Sequence, residues 1–132
     1  MPPEEVPGSP QEWLRRAEGK LSLAEQPLPK AGYWEDLCYM AQQAAELAVK
    51  AIYQQRGWRF AFIHDLRYLL DGLEKNGLAV PEAVREAERL TVYATQMRYP
   101  GSSGFTTREE HARVLEIAQR VVAWAKDILP PT

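Results

Sequence analysis

The chain is poor in the residues that most often carry chemistry. Its 132 residues include one cysteine, Cys38, and two histidines, His64 and His111. A lone cysteine excludes an intrachain disulfide and any zinc site built on thiolates. Cys38 stands among Leu37, Met40 and Ala41, company that predicts a buried, inert thiol. Neither histidine has a second His or Cys one helical turn away, so no metal site is expected. A phosphate-cradling loop is also missing, because Gly101-Ser102-Ser103-Gly104 lacks both the lysine and the preceding strand. No serine has the strand-turn-helix setting of a hydrolase elbow. No cofactor is expected.

Charge of one sign is lacking too. The net charge is −2, whereas a general nucleic-acid binder carries a positive excess, so net charge does not support RNA as a partner. Arg56, Arg59 and Arg67 lie close in sequence. They read either as a local basic patch or as solvated surface. No apolar run approaches the roughly 20 residues of a membrane helix, and no membrane partner is expected. The start, MPPEEVPGSP, is acidic and proline-rich. It lacks the basic and apolar regions of a signal peptide, and the expected location is cytoplasmic.

What the chain has is helical punctuation. Ser9 followed by Pro10, with Glu12 three residues on, predicts a capped helix start. Trp13, Leu14, Ala17, Leu21 and Ala24 recur at helical spacing, and Pro27 and Pro29 end the run. The second helix is expected over 34–56. Leu37, Ala41, Ala44, Ala48 and Ala51 line one face, Met40, Leu47 and Ile52 widen it, and Gly57 stops it. A helix apolar over so much of its circumference belongs in the middle of a bundle. A shorter helix follows His64, with Leu66, Leu69, Leu70 and Leu73 inward, and Asn76-Gly77 breaks it. Pro81 opens a fourth, with Val84, Ala87, Leu90, Ala94 and Met97 repeating at steps of three or four. The fifth has Thr107 and Glu110 as a second capping box and a stripe of Val114, Ala118, Val121, Ala125 and Ile128. No strand-like alternation interrupts the series. The expected fold is all-α, an up-and-down antiparallel bundle of four main helices plus a short fifth, with residues 1–8 a loose tail and 9–130 one domain.

Four candidate sites emerge. Gln43, Glu46 and Lys50 share one side of the second helix with Tyr39 and Tyr53; they read as a solvated stripe holding a weak Glu46–Lys50 pair, or as the edge of a cleft. His64 precedes a helix and reads either as a helix-entrance residue or as a ligand contact. Arg98, at the end of the fourth helix, either meets the helix dipole or offers a two-pronged donor to phosphate. His111 and Arg108 share a face of the fifth helix and read as a phosphate site or, the expected case, as an exposed pair among Glu109, Glu110 and Arg113. Trp34, Tyr39, Tyr53, Trp58 and Tyr99 are candidates for a symmetric dimer patch.

Gln42 to Gly57 (QQAAELAVKAIYQQRG), then Ile63-His64-Asp65-Leu66, then Met97-Arg98-Tyr99-Pro100, in this order and at this separation, resemble a HEPN domain (higher eukaryotes and prokaryotes nucleotide-binding). The likeness runs from about Trp13 to Leu129. It implies a helical bundle that forms homodimers and acts in toxin–antitoxin or defence systems. One branch consists of metal-independent ribonucleases, marked by an Arg followed by a His within one to two helical turns. This chain departs from that hallmark, since no His follows Arg98 at that distance and Arg108 and His111 stand too close together. The resemblance therefore points to the branch encoded beside a minimal nucleotidyltransferase. It implies a nucleotide- or phosphate-binding partner of that enzyme, with Arg98, His64, Lys50, Glu46, Gln43 and Tyr99 as ligand-binding residues. The alternatives are a ribonuclease toxin using Arg98 with His64 or His111, and a structural protein-interaction module.

Overall fold

Residue Ser9 starts the first helix as its spacing predicts. In the computed structural model, which describes residues 6–95, 100–101 and 106–130, α1 spans Pro10–Ala24, and Ser9 Oγ accepts from the Glu12 N–H at 3.1 Å. The return half of the capping box is shifted by one residue. The Glu12 carboxylate accepts from the Gly8 N–H at 2.7 Å and from Arg16 at 2.8 Å. These two contacts hold the Glu12 carboxyl below its usual range, the Gly8 N–H first.

The central element is α2, Trp34–Arg56, with the bounds the pattern predicts. It packs against α1, against the next helix and against the last one. Ala41, Ala44, Ala45, Ala48 and Ala51 are fully buried, and side chains this small let the neighbouring axes come close. Gly57 ends the helix at φ +71°, a left-handed position open to glycine, and the Trp58 N–H folds back to the Tyr53 carbonyl at 3.0 Å. Cys38 is fully buried in this helix, and burial with Glu110 and Glu35 nearby pushes its thiol up to about 12.

Helix α3 covers Leu66–Lys75. Its cap is Asp65, which accepts from the N–H groups of Arg67 and Tyr68, leaving the His64 ring free for other contacts. Leu66, Leu69, Leu70 and Leu73 are all fully buried, each contributing about 1.5–3 kcal/mol. Tyr53 is in the core rather than on a dimer patch. It is 1% exposed, its hydroxyl donates to the Leu69 carbonyl at 2.6 Å, and burial pushes it up to about 12. That hydroxyl lies where the side chain of residue 72 would stand, so a Cβ on Gly72 would overlap it.

The fourth main helix is where expectation and structure part. Only Glu82–Arg85 is α-helical (α4), and Glu86–Tyr93 continues as a 3-10 helix. The reason lies in the apolar period. Val84, Ala87, Leu90 and Tyr93 fall at steps of three and are all buried, and a helix with three residues per turn puts such a series on one line. Contacts with α3 accompany the tighter winding. Thr91 Oγ1 accepts the Leu66 N–H at 3.1 Å, and Arg85 pairs with Asp71, Glu74 and Glu88. Met97 lies outside the described residues.

Helix α5, Arg108–Ile128, is capped by Thr107, whose Oγ1 accepts from the Glu110 N–H at 3.1 Å. The Glu110 carboxylate does not turn back to the cap. It takes the Tyr93 hydroxyl at 3.1 Å and ties α5 to the 3-10 helix. Burial raises the Tyr93 phenol, and Glu110 adds to the shift. Val114, Ala118, Val121 and Ala125 are buried as the stripe predicts, while Ile128 is half-buried. Among the described residues all regular structure is helical, and no helix is long and apolar enough to cross a membrane.

Candidate functional site

The middle of α2 carries three polar residues on one line, Gln42, Glu46 and Lys50, each four residues from the next. All three are buried, at 0%, 5% and 7% exposure. Gln42 donates its amide to Glu46 Oε1 at 2.9 Å, and Lys50 Nζ donates to Glu46 Oε2 at 2.8 Å. The third donor comes from another element. His64, in the loop between α2 and α3, places Nδ1 at 3.0 Å from both carboxylate oxygens. A carboxylate ringed by an ammonium and an amide can only accept, so Nδ1 carries the hydrogen. That fixes the tautomer of a neutral ring and leaves Nε2 without its proton. The His64 side chain is 67% exposed.

The loop reaches Glu46 because aromatic residues pin it down. Trp58 packs edge-on against Tyr53, with centroids 6.3 Å apart, and Phe60 meets Tyr53 at 5.2 Å and Trp13 at 6.0 Å. Lys50 Nζ lies over the Phe60 ring, 5.3 Å from its centre. Phe60 thus covers the lysine from the loop side. Beside Glu46 a groove of about 520 Å³ runs between α1 and α2, lined by Arg16, Lys20, Leu23, Gln43, Glu46 and Leu47. Among the described residues no group of three His, Cys, Asp or Glu is placed to hold a metal.

Residues 10–128 match the model of the HEPN domain. The chain belongs to the HEPN family. Its fold is similar to the crystal structure of ST0689, an archaeal HEPN homologue. The match has a TM-score of 0.73 and 26% sequence identity, and covers 91% of this chain and 97% of that one. No curated protein sequence matches the chain.

Of the ligand-binding residues expected in this HEPN chain, Glu46, Lys50 and His64 come together. Glu46 and Lys50 are interior rather than a solvated stripe, which the sequence left open. Gln43 stands aside. It is half-buried and donates to the Tyr39 hydroxyl at 2.8 Å, on the neighbouring line of the helix. Its predecessor, Gln42, is the glutamine that touches Glu46, and sequence reasoning passed it over. The signal was the four-residue step shared by 42, 46 and 50, against a three-residue step from Gln43. The expectation for His111 is corrected. It is buried rather than exposed, donates from Nε2 to the Ala24 carbonyl at 2.8 Å and packs at a tilt against Trp34, ring centres 5.0 Å apart. It joins α5 to the end of α1, while Arg108 is exposed. Arg98 and Tyr99 lie outside the described residues. A second groove of about 520 Å³, between the 3-10 helix and α5, was not expected. It holds Arg89, Arg113 and Arg120 with Tyr93 and Glu110.

Proposed function

We propose that this HEPN protein is a homodimeric, non-hydrolytic partner of a minimal nucleotidyltransferase in a toxin–antitoxin-like pair, built as an up-and-down bundle. It binds a nucleotide or another phosphate-bearing group at His64, beside the strip of Gln43, Glu46 and Lys50, with Arg98 and Tyr99 joining from the segment after the 3-10 helix. The observation that carries this reading is the hold on His64. A buried carboxylate fixes one nitrogen and leaves the other facing solvent. There it accepts a proton from a ligand hydroxyl or, when the ring is protonated, donates to a phosphate oxygen. Calorimetry with a panel of nucleotides tests it. Binding is expected in the wild type and is lost in His64→Ala and Arg98→Ala, and the transferase encoded beside the gene is expected to co-purify. Absence of both nucleotide binding and transferase capture rejects the reading.

One feature favours a second reading, a metal-independent ribonuclease. An imidazole backed by a carboxylate and open at Nε2 is the arrangement of a general base, suited to taking a proton from a 2′-hydroxyl, with Arg98 stabilising the developing charge. RNA cleavage in chelator that disappears in His64→Ala supports this branch, and cleavage unchanged in that variant removes it.

A further inference from the structure

Residue Phe62 is 99% exposed, an unusual state for a phenylalanine in a loop that is otherwise anchored. Trp58 and Phe60, two and four residues earlier, pack onto Tyr53. Asp65, three residues later, is committed to capping α3. The loop is therefore held at both ends and presents Phe62 outward between them. Tyr68, in the first turn of α3, is 45% exposed.

The charges around these rings are unbalanced. Residues 56–68 hold three arginines and one aspartate, against a net charge of −2 for the chain. Arg56, Arg59 and Arg67 are exposed, and among the described residues none has a carboxylate at ion-pair distance. Arg56 instead bonds Gln55 and lies over the Trp58 ring. The exposed guanidinium groups of Arg59 and Arg67, beside Arg56 on its Trp58 ring and the exposed rings of Phe62 and Tyr68, suit a polyanion that also carries flat rings. Cations track its backbone, and each base finds a ring to stack on. An acidic protein segment would satisfy the arginines but leave Phe62 without a matching face.

We infer that the loop between α2 and α3 and the first turn of α3 form a platform for single-stranded nucleic acid. Arg56, Arg59 and Arg67 meet the phosphates, and Phe62 and Tyr68 stack on unpaired bases. The strand leads to His64. The inference builds on the nucleotide-site reading, since His64 is where platform and site meet, yet the two fail separately.

Fluorescence anisotropy tests the platform with a labelled oligoadenylate of about ten nucleotides, in ribo and deoxy forms. Adenosine monophosphate, a duplex of equal length and a polyglutamate peptide serve as competitors. The oligomer is expected to bind more tightly than the mononucleotide or the duplex. Phe62→Ala, a substitution at a fully exposed position, is expected to weaken oligomer binding roughly five- to a hundredfold while mononucleotide binding stays unchanged. Arg59→Glu is expected to weaken it for both sugars and flatten its salt dependence. An oligomer affinity unaffected by Phe62→Ala, a duplex that binds as well, or a polyglutamate peptide that competes equally overturns the platform. If the mononucleotide binds and His64→Ala abolishes it, while oligomer affinity is the same in Phe62→Ala as in the wild type, the site stands and the platform falls. If the oligomer binds through Phe62 and the mononucleotide does not bind at all, the platform stands and the mononucleotide site falls.

Discussion

Burial decides what the Lys50–Glu46 pair is worth. On an exposed helix, such a pair one turn apart contributes a few tenths of a kcal/mol. Here both side chains are under 10% exposed, and removing one leaves the other charged without water around it, which costs about 3–5 kcal/mol. Lys50→Met is expected to lose stability of that order in urea denaturation, and the double variant Lys50→Met, Glu46→Gln is expected to recover part of it. Gly72 offers a second contest of effects. In an open helix Gly→Ala stabilises by about 0.5–1 kcal/mol. At residue 72 the added methyl overlaps the Tyr53 hydroxyl, and overpacking costs about 1–3 kcal/mol. Gly72→Ala is therefore expected to lower the urea midpoint, and Tyr53→Phe in the same chain to restore much of it. Gly72→Ala alone raising the midpoint would contradict the packing described.

Between elements, one hydroxyl joins the start of α3 to the 3-10 helix. The Leu66 N–H lies at the start of α3, where no intrahelical acceptor exists, on a fully buried residue, and Thr91 Oγ1 supplies the acceptor. Thr91→Val keeps the shape and removes the acceptor. It is expected to cost about 1–3 kcal/mol and to speed hydrogen exchange at the Leu66 amide, whereas Thr91→Ser keeps most of the stability. This scale is also where the sequence was most legible. The starts of α1 and α5 and the end of α2 could be read from Ser9-Pro10, Thr107 and Gly57, because caps are local chemistry. The 3-10 helix could not be separated from an α-helix by periodicity over so short a span, although the strict three-residue step of Val84, Ala87, Leu90 and Tyr93 was present. The site was half legible. The Glu46–Lys50 spacing and the His64-Asp65-Leu66 motif were visible. The burial of the pair was not, because it depends on Phe60 arriving from a loop. His111 misled for the same reason. Its acidic and basic neighbours in sequence suggest surface, while Ala24 and Trp34, remote in sequence, enclose it.

For the molecule as a whole, the open question is how much apolar surface a single chain can leave in water. Leu23 and Tyr33 are 51% and 58% exposed, and Trp34 and Trp58 are only half-buried. Aromatic residues at a polar rim are the composition of an interface centre, and a twofold partner is the commonest way to cover them. Sedimentation or light scattering is expected to give twice the chain mass at micromolar concentration. A single-chain mass throughout that range rules out the dimer. Tyr53 no longer belongs to the patch, and Trp34 also packs against His111, so the test variant is Tyr33→Ser, which is expected to shift the mass toward that of the single chain.

The placement of Tyr53 links two positions that share no contact with any ligand. Its ring is the floor on which Trp58 and Phe60 rest, and its hydroxyl fills the notch left at Gly72. A bulkier residue at 72 demands a smaller one at 53, and a smaller one at 53 is expected to loosen the seat of Phe60 and of the loop that carries His64. Drift at either position is therefore expected to register at the imidazole some ten residues away along the chain, even with every polar group around that ring intact.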